Sequence, residues 1–286
     1  LGTIEMSTRE IHTVKPLQVK IPKGRLIAVT GVSGSGKTTM VLESLIPGLD
    51  AVCRGRALPP HVRSIDAPGI HQVKLIDASP IGINIRSTVA TYANVHDELR
   101  KIYAQAADAK KMKYKAGDFS YNTGKLRCPT CDGTGSISLD IQFLPDVEIV
   151  CPDCGGSRLS DAARAPRIRG IGLMDACRMT LSELTAWAET IPPALPEEMI
   201  PMAESIGDSF RGMAARLLDL GLGYLTLDRE GATLSTGERQ RVQLARSVRN
   251  RTTGVLYVLD EPSIGLHPSN IEGLKGVMRD LIADGN

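Results

Sequence analysis

Hydrophobic residues fall in short runs and alternating stretches that predict strands. Residues 26–30 and Val255–Leu259 are nearly continuous apolar runs, which are typical of strands buried on both faces of a parallel sheet. Residues 17–25 alternate between apolar and polar side chains, as in a half-exposed strand, and residues 73–77 predict another strand. Buried strands early and late in the chain predict an α/β fold with a parallel or mixed sheet.

Three further segments predict helices. Residues 39–45 form the first, which should end at Pro47 and Gly48. The second covers residues 96–106 and the third residues 206–220, with Gly221 as its expected end. The apolar positions on one face of these two helices are Leu99, Ile102, Tyr103, Ala106, Ile206, Phe210, Met213, Leu217 and Leu220. Residues 137–150 alternate around a Leu-Pro-Asp sequence, which predicts a hairpin.

The composition is that of an ordinary globular protein. The 286 residues are 42% hydrophobic and 23% charged, enough for more than one packed unit, and no repeat dominates. The apolar stretches are far shorter than the ~20 residues of a membrane span, and no leader sequence is visible, so we expect a cytoplasmic protein without a membrane partner. Because no initiating Met is present and the chain ends abruptly at Asn286, we expect it to be part of a longer protein.

The formal net charge of +2 indicates neither an acidic nor a basic partner. Basic residues are nevertheless concentrated between Arg100 and Arg127, where eight Lys and Arg residues occur with only two acids, Asp108 and Asp118. Such a segment is either a phosphate-binding surface or a solvated helix face.

Four of the six cysteines form two Cys-x-x-Cys pairs, Cys128 with Cys131 and Cys151 with Cys154. The pairs are 19 residues apart, a spacing typical of a zinc site with four thiolate ligands. Four protein ligands leave no position for water, so the predicted Zn²⁺ is structural and supplies folding energy to a glycine-rich stretch. Cys53 and Cys177 are interpreted as packing residues.

A glycine-rich loop directly follows residues 26–30. Residues 31–38 match G-x-x-x-x-G-K-[ST] in full, with a predicted strand before them and a predicted helix after them. Backbone N–H groups of such a loop wrap nucleotide phosphates, and the helix N-terminus adds positive charge. Lys37 is expected to reach the β- and γ-phosphates of ATP, and Thr38 to ligate Mg²⁺. The predicted nucleotide-binding residues of this loop are Gly31, Ser33, Gly34, Ser35, Gly36, Lys37, Thr38 and Thr39.

The late apolar strand ends in two acids, Asp260 and Glu261. Asp260 is expected to provide a second Mg²⁺ contact beside the phosphate loop. Glu261 is the predicted catalytic residue, since it could orient and polarise the attacking water. Two acids at a strand end are common and by themselves weak evidence for an ATP site. Together with the phosphate loop in the same chain, they are strong evidence for one.

Residues 234–241, the signature segment, precede these acids. Ser235 and Glu238 have capping-box spacing, which predicts a helix from there to about Arg249, with Val242 facing inward. The segment resembles the signature sequence of ABC-type ATPases and lies 25 residues before Asp260. The resemblance implies that Ser235 and Gly237 contact the γ-phosphate of ATP held by an opposing nucleotide-binding domain. Thr236 stands where that family usually has glycine.

Motifs across nearly the whole chain resemble the UvrA family, the damage-sensing component of the bacterial excinuclease. Besides the phosphate loop, they are Ser-Pro-Ile-Gly at 79–82, Ala-Thr-Tyr at 90–92, Phe-Ser-Tyr-Asn at 119–122, Phe-Leu-Pro-Asp-Val at 143–147 and the sequence at 259–267. The separation of 198 positions from Lys37 to Ser235 matches the long insertion of that family. The resemblance is to its second, C-terminal nucleotide-binding half, or to a divergent paralogue.

The resemblance implies an ATP-dependent ATPase of nucleotide excision repair that senses damaged or distorted DNA. Phosphate contacts would supply affinity, and duplex deformability would supply discrimination. The implied partners are double-stranded DNA, a second nucleotide-binding domain in cis or in a dimer, and the excinuclease component UvrB through the other half of the parent protein. The candidate DNA contacts are Lys110, Lys111, Lys113, Lys115, Lys125 and Arg127.

The same resemblance implies three parts. Residues 1–98 are the first part of a P-loop ABC-type ATP-binding core, and residues 99–233 are an insertion or signature domain with the zinc module at 128–154. Residues 234–286 hold the signature helix and the rest of the core, and end before the family's switch histidine. This ending implies weak ATP hydrolysis by the chain alone. Ala78 replaces a glutamine typical of the family and, with Thr236, suggests a divergent paralogue.

Two other functions stay open at this point. The chain could be the ATPase module of another ABC machine, a transporter or an antibiotic self-resistance paralogue, with a purely structural zinc module. Residues 128–135 also resemble a co-chaperone zinc knuckle, but that module has no use for a phosphate loop. Binding to duplex DNA across a salt series distinguishes the repair function from the other ABC machine.

Overall fold

The structure is a computed structural model that describes residues 2–77, 79, 86–139, 147–191, 200–249, 252–263 and 265–286. Its strands are β1 Thr3–Thr8, β2 Gln18–Pro22, β3 Val62–Asp66, β4 Gln72–Ile76, β5 Ser136–Leu139, β6 Val147–Val150, β7 Arg167–Ile168, β8 Ile171–Gly172 and β9 Val255–Leu259. Its α-helices are α1 Ile46–Cys53, α2 Val89–Tyr92, α3 Val95–Tyr103, α4 Ala107–Lys111, α5 Leu173–Arg178, α6 Leu181–Ala188, α7 Ile200–Asp219, α8 Thr236–Arg249 and α9 Ile271–Ala283.

The chain divides into two compact units. The first comprises Leu1–Asp77, Ser247–Ile264 and Leu274–Asn286. The second comprises Ala78–Arg246 and Gly265–Gly273. The domain boundaries at 98/99 and 233/234 that the sequence suggested stay predictions.

The first unit combines antiparallel and parallel strand pairs. β1 is the central strand of an antiparallel sheet, with β2 and β3 on either side. β4 and β9 pair in parallel, from Gln72 opposite Val255 to Ile76 opposite Leu259. α1 packs against β3 and β4. The buried core residues are Ile4, Met6, Leu45, Leu49 and Val62. The predicted strands at 73–77 and Val255–Leu259 are therefore confirmed.

The prediction of a buried strand at residues 26–30 is wrong. The segment lies outside the strands, and its side chains are exposed, Leu26 by 59%, Ile27 by 41% and Val29 by 45%. A buried parallel strand needs hydrogen-bonding neighbours and helices over both faces of its sheet. Within the described residues, β4 and β9 pair with each other and no strand pairs with residues 26–30. The apolar run therefore has no position in a sheet.

The helix after the phosphate loop is longer than predicted. It begins as a π-helix, Thr39–Leu45, and continues as α1 through Pro47 and Gly48 to Cys53. Pro47 lies in the first turn of α1, where a missing N–H costs no intrahelical hydrogen bond. The change from π to α geometry thus accommodates the proline that was expected to end the helix.

The second unit is mainly helical. α3 packs against α2, α5 and α7, and α6 packs against α7. Leu99, Ile102 and Tyr103 of α3 are buried as predicted, whereas Ala106 lies beyond the end of the helix. The buried residues of α7 include Phe210, Met213 and Leu217, followed by Leu220 after its last turn. Gly221 then has a φ of 72°, so the predicted glycine end of this helix is confirmed.

The predicted hairpin and the predicted signature helix are both present. β5 and β6 pair antiparallel, with Ser136 opposite Val150. Their connection at 140–146, which holds the Leu-Pro-Asp sequence, lies outside the described residues, as does Ala78. α8 begins directly after Ser235 and buries Val242.

Across the part of the chain that the structure describes, no helix combines the length and the apolar character that a membrane crossing requires.

Candidate nucleotide, metal and DNA sites

The phosphate-loop sequence adopts a backbone that requires glycine. Gly34 and Gly36 have φ angles of 78° and 88°, in the left-handed region that other residues rarely adopt. A Cβ on Gly36 would lie 2.6 Å from Cγ2 of Val14, closer than van der Waals contact allows. The loop passes directly into the helix, where Met40 N–H donates to the carbonyl of Gly36 at 2.9 Å. Backbone N–H groups in such a loop can approach an anion closely.

The side chain of Lys37 folds over its own loop. Its Nζ donates to the carbonyls of Gly31 at 2.7 Å and Val32 at 2.8 Å. These contacts hold the ammonium beside the predicted phosphate position. Thr38 starts the helix, and its side chain makes no capping hydrogen bond within the described residues. Lys37 and Thr38 can therefore offer a cation and a hydroxyl ligand to a bound nucleotide and its metal.

Asp260 and Glu261 stand directly after β9, in the same compact unit as the phosphate loop. The N–H of Asp260 donates to the carbonyl of Ile76 at 3.2 Å, which continues the parallel pairing by one residue. Both acids are exposed. Glu261 has a φ of 46°, a left-handed conformation that costs a non-glycine residue about 1–2 kcal/mol. Strained residues of this kind cluster at functional sites.

The signature segment lies in the second unit and forms the predicted capping box. The N–H of Ser235 donates to Oε2 of Glu238 at 2.7 Å, and the N–H of Glu238 donates to Oγ of Ser235 at 3.3 Å. Ser235 is exposed, and Gly237 is buried in the first turn of α8. The segment therefore presents the Ser235 side chain at the N-terminal, positive end of a long helix.

Glu238 is the buried carboxylate that organises this helix end. Oε1 accepts a hydrogen bond from the Tyr224 hydroxyl at 2.6 Å, and the Arg229 guanidinium lies 3.6 Å from Oε2. Burial works against ionisation of Glu238, but the hydrogen bonds from Tyr224 and Ser235 and the charge of Arg229 outweigh it. The pKa of Glu238 therefore lies below its ordinary value.

The four cysteines of the two pairs converge on one point. Their sulfur atoms all lie within 4.8 Å of one another, and all four side chains are buried. Sγ of Cys128 is 3.9 Å from that of Cys151, and Sγ of Cys131 is 3.7 Å from that of Cys154. Tetrahedral Zn²⁺ with Zn–S bonds of about 2.3 Å requires S···S distances of about 3.8 Å. The two measured distances match this value, and the cluster is therefore compatible with a tetrahedral zinc ion.

Two matching turns hold these sulfur atoms. After the first pair, Asp132 and Gly133 have φ angles of 51° and 78°, and after the second pair, Gly155 and Gly156 have φ angles of 56° and 80°. A Cβ on Gly133 would lie 1.9 Å from the carbonyl oxygen of Tyr121, so glycine is required there. The two turns are also joined directly, because the Thr130 hydroxyl donates to the Asp153 carboxylate.

The thiols differ in their readiness to ionise. Burial opposes ionisation of Cys131, but the N–H of Gly135, 3.3 Å away, and the neighbouring thiols lower its pKa to about 7. Burial raises the pKa of Cys154 to about 12 and raises that of Cys128 as well. A bound cation would favour the thiolate form of these sulfur atoms.

The six candidate DNA-contacting residues differ in their surroundings. Lys110 and Lys111 end α4, and Lys111, Lys113 and Lys115 are exposed. Lys125 lies 3.2 Å from Asp118 and over the Tyr114 ring, and Nε of Arg127 lies 3.0 Å from Asp132. The last two cations are thus partly neutralised by neighbouring acids. Tyr103 and Tyr121, which are interleaved with this basic segment, are buried core residues.

Sequence reasoning missed two polar residues around these sites. Tyr224 is separated from Glu238 by 14 positions, and no pattern in the sequence links them. Arg158 follows the second cysteine pair and is buried, with a 3.0 Å contact to Glu230. The sequence gives no sign that Arg158 is buried, because its partner Glu230 lies 72 positions further along the chain.

A phosphate-loop motif, a signature helix and a four-cysteine cluster on a mixed α/β structure define the class of this chain, the ABC ATPase fold with an inserted four-cysteine module. No family model matches the chain. UvrABC system protein A from Helicobacter pylori is 33% identical over 287 residues, which are 99% of this chain and 29% of that protein. The protein of the same name from Bacillus subtilis is 37% identical over 286 residues, 99% of this chain and 28% of that protein.

A solved structure agrees with these relatives. The crystal structure of UvrA2 from Deinococcus radiodurans matches all of this chain and 33% of that chain, with a TM-score of 0.80 and 34% identity. The chain is thus homologous to UvrA, and it spans less than a third of the length of the relatives it matches.

Proposed function

We propose that this chain is a nucleotide-binding part of a UvrA-like ATPase that senses DNA damage in nucleotide excision repair. Homology to UvrA over 99% of the chain supports this proposal. The observation that carries it is the four-sulfur cluster, which lies between the phosphate loop and the signature segment in the sequence and fits a metal. The comparisons give no support to a transporter module.

In this proposal, ATP binds with its phosphates against residues 31–39. The backbone N–H groups around Gly34 and Gly36 and the ammonium of Lys37 receive the negative charge. Thr38 and Asp260 would hold Mg²⁺, which would supply positive charge to the phosphate oxygens. Glu261 orients and polarises the water that attacks the γ-phosphate.

A second nucleotide-binding domain completes the ATP site. The exposed Ser235 and the adjacent Gly237 contact the γ-phosphate of a nucleotide held by an opposing domain, in cis or in a dimer. The capping contacts of Glu238 support this role, because they fix the backbone of Ser235 before any nucleotide arrives. Such preorganisation reduces the cost of forming the contact. The chain alone is therefore expected to hydrolyse ATP weakly.

The metal module has a structural role. Cys128, Cys131, Cys151 and Cys154 hold Zn²⁺, which adds folding energy to a region of turns and short strands. All four ligand positions are taken by sulfur, so no reacting water is expected there. The β5–β6 hairpin connects the two cysteine pairs in the sequence, and the basic residues directly precede Cys128.

DNA is the proposed macromolecular partner. Phosphate contacts from exposed lysines would supply most of the affinity, independent of base sequence. We assign the larger share to Lys111, Lys113 and Lys115, because Lys125 and Arg127 already contact acids. The excinuclease component UvrB would bind the remainder of the full-length protein, and the whole assembly would act in the cytoplasm.

A salt series tests the DNA proposal. The chain should bind duplex DNA, with a preference for a duplex that carries a distorting lesion, and the affinity should fall steeply as salt rises. Lys111→Ala should reduce the slope of log K against log salt by about 1. Lys101→Ala is the matched control, since Lys101 belongs to the same basic segment but contacts Glu98 at 3.0 Å. Absence of binding at low salt would favour the other ABC-machine function.

A further inference from the structure

Arg158 is attached to the four-cysteine module through its backbone. Its carbonyl accepts a hydrogen bond from the N–H of Cys128 at 2.9 Å, and Arg158 follows Cys154 by four positions in the chain. Its φ of 67° is left-handed, a backbone conformation that non-glycine residues rarely adopt. The backbone of Arg158 is therefore joined to both halves of the module, to Cys128 by the hydrogen bond and to Cys154 by the short connecting segment.

The side chain of Arg158 is buried and reaches away from the module. Nη2 donates to Oε1 of Glu230 at 3.0 Å, and the guanidinium carbon lies 5.5 Å from the centre of the Tyr121 ring. Nη1 is buried and has no hydrogen-bond partner among the described residues. A buried cation with so few partners depends strongly on the carboxylate it has. Arg158 and Glu230 are therefore coupled through their side chains, and this contact adds to the backbone bridge between Glu230 and Thr88.

Glu230 begins the turn that leads to the signature segment. Its carbonyl accepts hydrogen bonds from the N–H of Thr233 at 3.0 Å and from the Thr233 hydroxyl at 2.8 Å. Residues Gly231–Thr233 form a single turn of 3₁₀-helix, and Leu234 and Ser235 follow it directly. A shift of Glu230 would therefore move the start of the signature segment.

A second set of contacts continues from this turn to Ser235. Nη2 of Arg229 donates to the carbonyl of Thr233 at 3.1 Å and lies 3.6 Å from Oε2 of Glu238. That same oxygen accepts the N–H of Ser235. Contacts of 3.6 Å or less thus run without interruption from Cys128 to Ser235 inside the second unit.

We propose that Arg158 is a positioning residue that transmits the state of the four-cysteine module to the signature segment. With metal bound, the sulfur atoms fix Arg158, Arg158 fixes Glu230, and the turn holds Ser235 in its capping geometry. Without metal, the backbone of Arg158 loosens and Glu230 loses its partner. The inference rests on the metal site of the proposed function and goes beyond it, since it gives that site an effect on the signature segment.

Hydrogen–deuterium exchange of the whole chain tests this inference. Exchange at residues 229–238 is measured with zinc bound and after chelation, with the metal content determined in each sample. We expect chelation to raise exchange there by about 2- to 30-fold, the range of couplings measured along such networks. Residues 205–219 of α7 provide an internal reference, because α7 makes none of these contacts.

Variants separate Arg158 from a general loss of structure. Glu230→Gln changes the half-exposed partner of Arg158. In this variant with zinc bound, hydrogen exchange at residues 229–238 should already be fast and should not change on chelation. Arg158→Gln should behave in the same way. Arg164→Gln is the control, because Arg164 donates to the carbonyl of Cys154 at 3.0 Å without contacting Glu230. It should retain the slow exchange and the response to chelation.

The outcomes distinguish the inference from the proposal on which it rests. A wild-type chain that binds no zinc would refute the metal site itself, and the role of Arg158 with it. If the wild-type chain binds zinc but hydrogen exchange at residues 229–238 does not change on chelation, only the role of Arg158 is refuted. Retention of the chelation response in Glu230→Gln would do the same.

Discussion

The hydroxyl of Tyr224 donates a 2.6 Å hydrogen bond to Oε1 of Glu238, and the other oxygen of that carboxylate accepts the N–H of Ser235. One buried carboxylate thus joins the loop after α7 to the first turn of the signature helix. Because Glu238 carries charge, the bond from Tyr224 affects both its ionisation and the position of Ser235.

Tyr224→Phe should raise the pKa of Glu238 towards its ordinary value, because the variant removes a hydrogen bond to the ionised form. Because the pKa of Glu238 is lower in the folded protein than its ordinary value of 4.5, ionised Glu238 adds to the free energy of unfolding. This contribution is fully present at pH values above 4.5 and disappears as the pH falls through the lowered pKa. We therefore expect Tyr224→Phe to cost about 1 kcal/mol at neutral pH and less in acid. A carboxyl NMR titration and urea unfolding at two pH values measure both effects.

Tyr257→Phe is the control for that substitution. Among the described residues, the contacts of the Tyr257 hydroxyl are long, 3.4 Å to Thr252 and 3.5 Å to the carbonyl of Ser247. Its removal should leave the titration of Glu238 unchanged. An unshifted pKa in Tyr224→Phe would show that the observed hydrogen bond does not stabilise the carboxylate.

Gly36→Ala should damage the phosphate loop more than Gly34→Ala. Both positions have left-handed φ angles, which cost alanine about 1–2 kcal/mol. Only at Gly36 does the added methyl group meet a side chain, Cγ2 of Val14 at 2.6 Å, whereas nothing lies within 4 Å at Gly34. Overpacking should add about 1–3 kcal/mol at Gly36. Urea unfolding measures the free energy of unfolding of both variants. Adding Val14→Ala to Gly36→Ala should recover part of the stability that Gly36→Ala loses.

Lys37→Ala should weaken nucleotide binding while preserving the fold. The ammonium contacts two loop carbonyls, and in the proposed function phosphate oxygens would replace these contacts. Loss of a charged hydrogen bond costs about 2–3 kcal/mol, which corresponds to roughly 30- to 150-fold in Kd. Fluorescence titration with an ATP analogue measures the Kd of the variant and of the wild-type chain. Lys20→Ala, at an exposed salt bridge with Glu5, should bind normally; equal affinity in both variants contradicts the phosphate-loop assignment.

Cys151→Ser should abolish metal binding, whereas Cys53→Ser should retain one zinc ion per chain. Cys151 belongs to the four-sulfur cluster, and Cys53 does not. A tetrahedral thiolate site that loses one ligand binds zinc far more weakly, and the region around it loses folding energy. Elemental analysis of purified protein gives the stoichiometry. Full occupancy in Cys151→Ser would rule out the four-thiolate site.

Features that depend on local pattern were predictable from the sequence. The five consecutive apolar residues of β9 indicated a strand, although only Val255 in it is fully buried. The alternation around residues 137–150 indicated the hairpin. The spacing of the four cysteines indicated that their sulfur atoms would meet. In each case the information lies within a few residues or in the ligand chemistry of a single residue type.

Features that depend on distant neighbours were not predictable. Residues 26–30 have the same apolar character as β9, but a strand forms only where another strand supplies hydrogen bonds. Pro47 lies within a continuous helical stretch because it falls in the first turn of α1, where the π-helix ends, and sequence propensity does not reveal this change of helix type. The contact of Arg158 with Glu230 depends on the packing of the whole second unit.

The exposed segment at residues 26–30 leads without interruption into Gly31, so the backbone just before the phosphate loop has open hydrogen-bonding edges within the described structure. Val32, inside the loop itself, is 78% exposed. Any polypeptide that aligned itself beside this stretch would set the angle at which the chain enters the loop. An unpaired apolar segment of this kind favours pairing with another polypeptide segment.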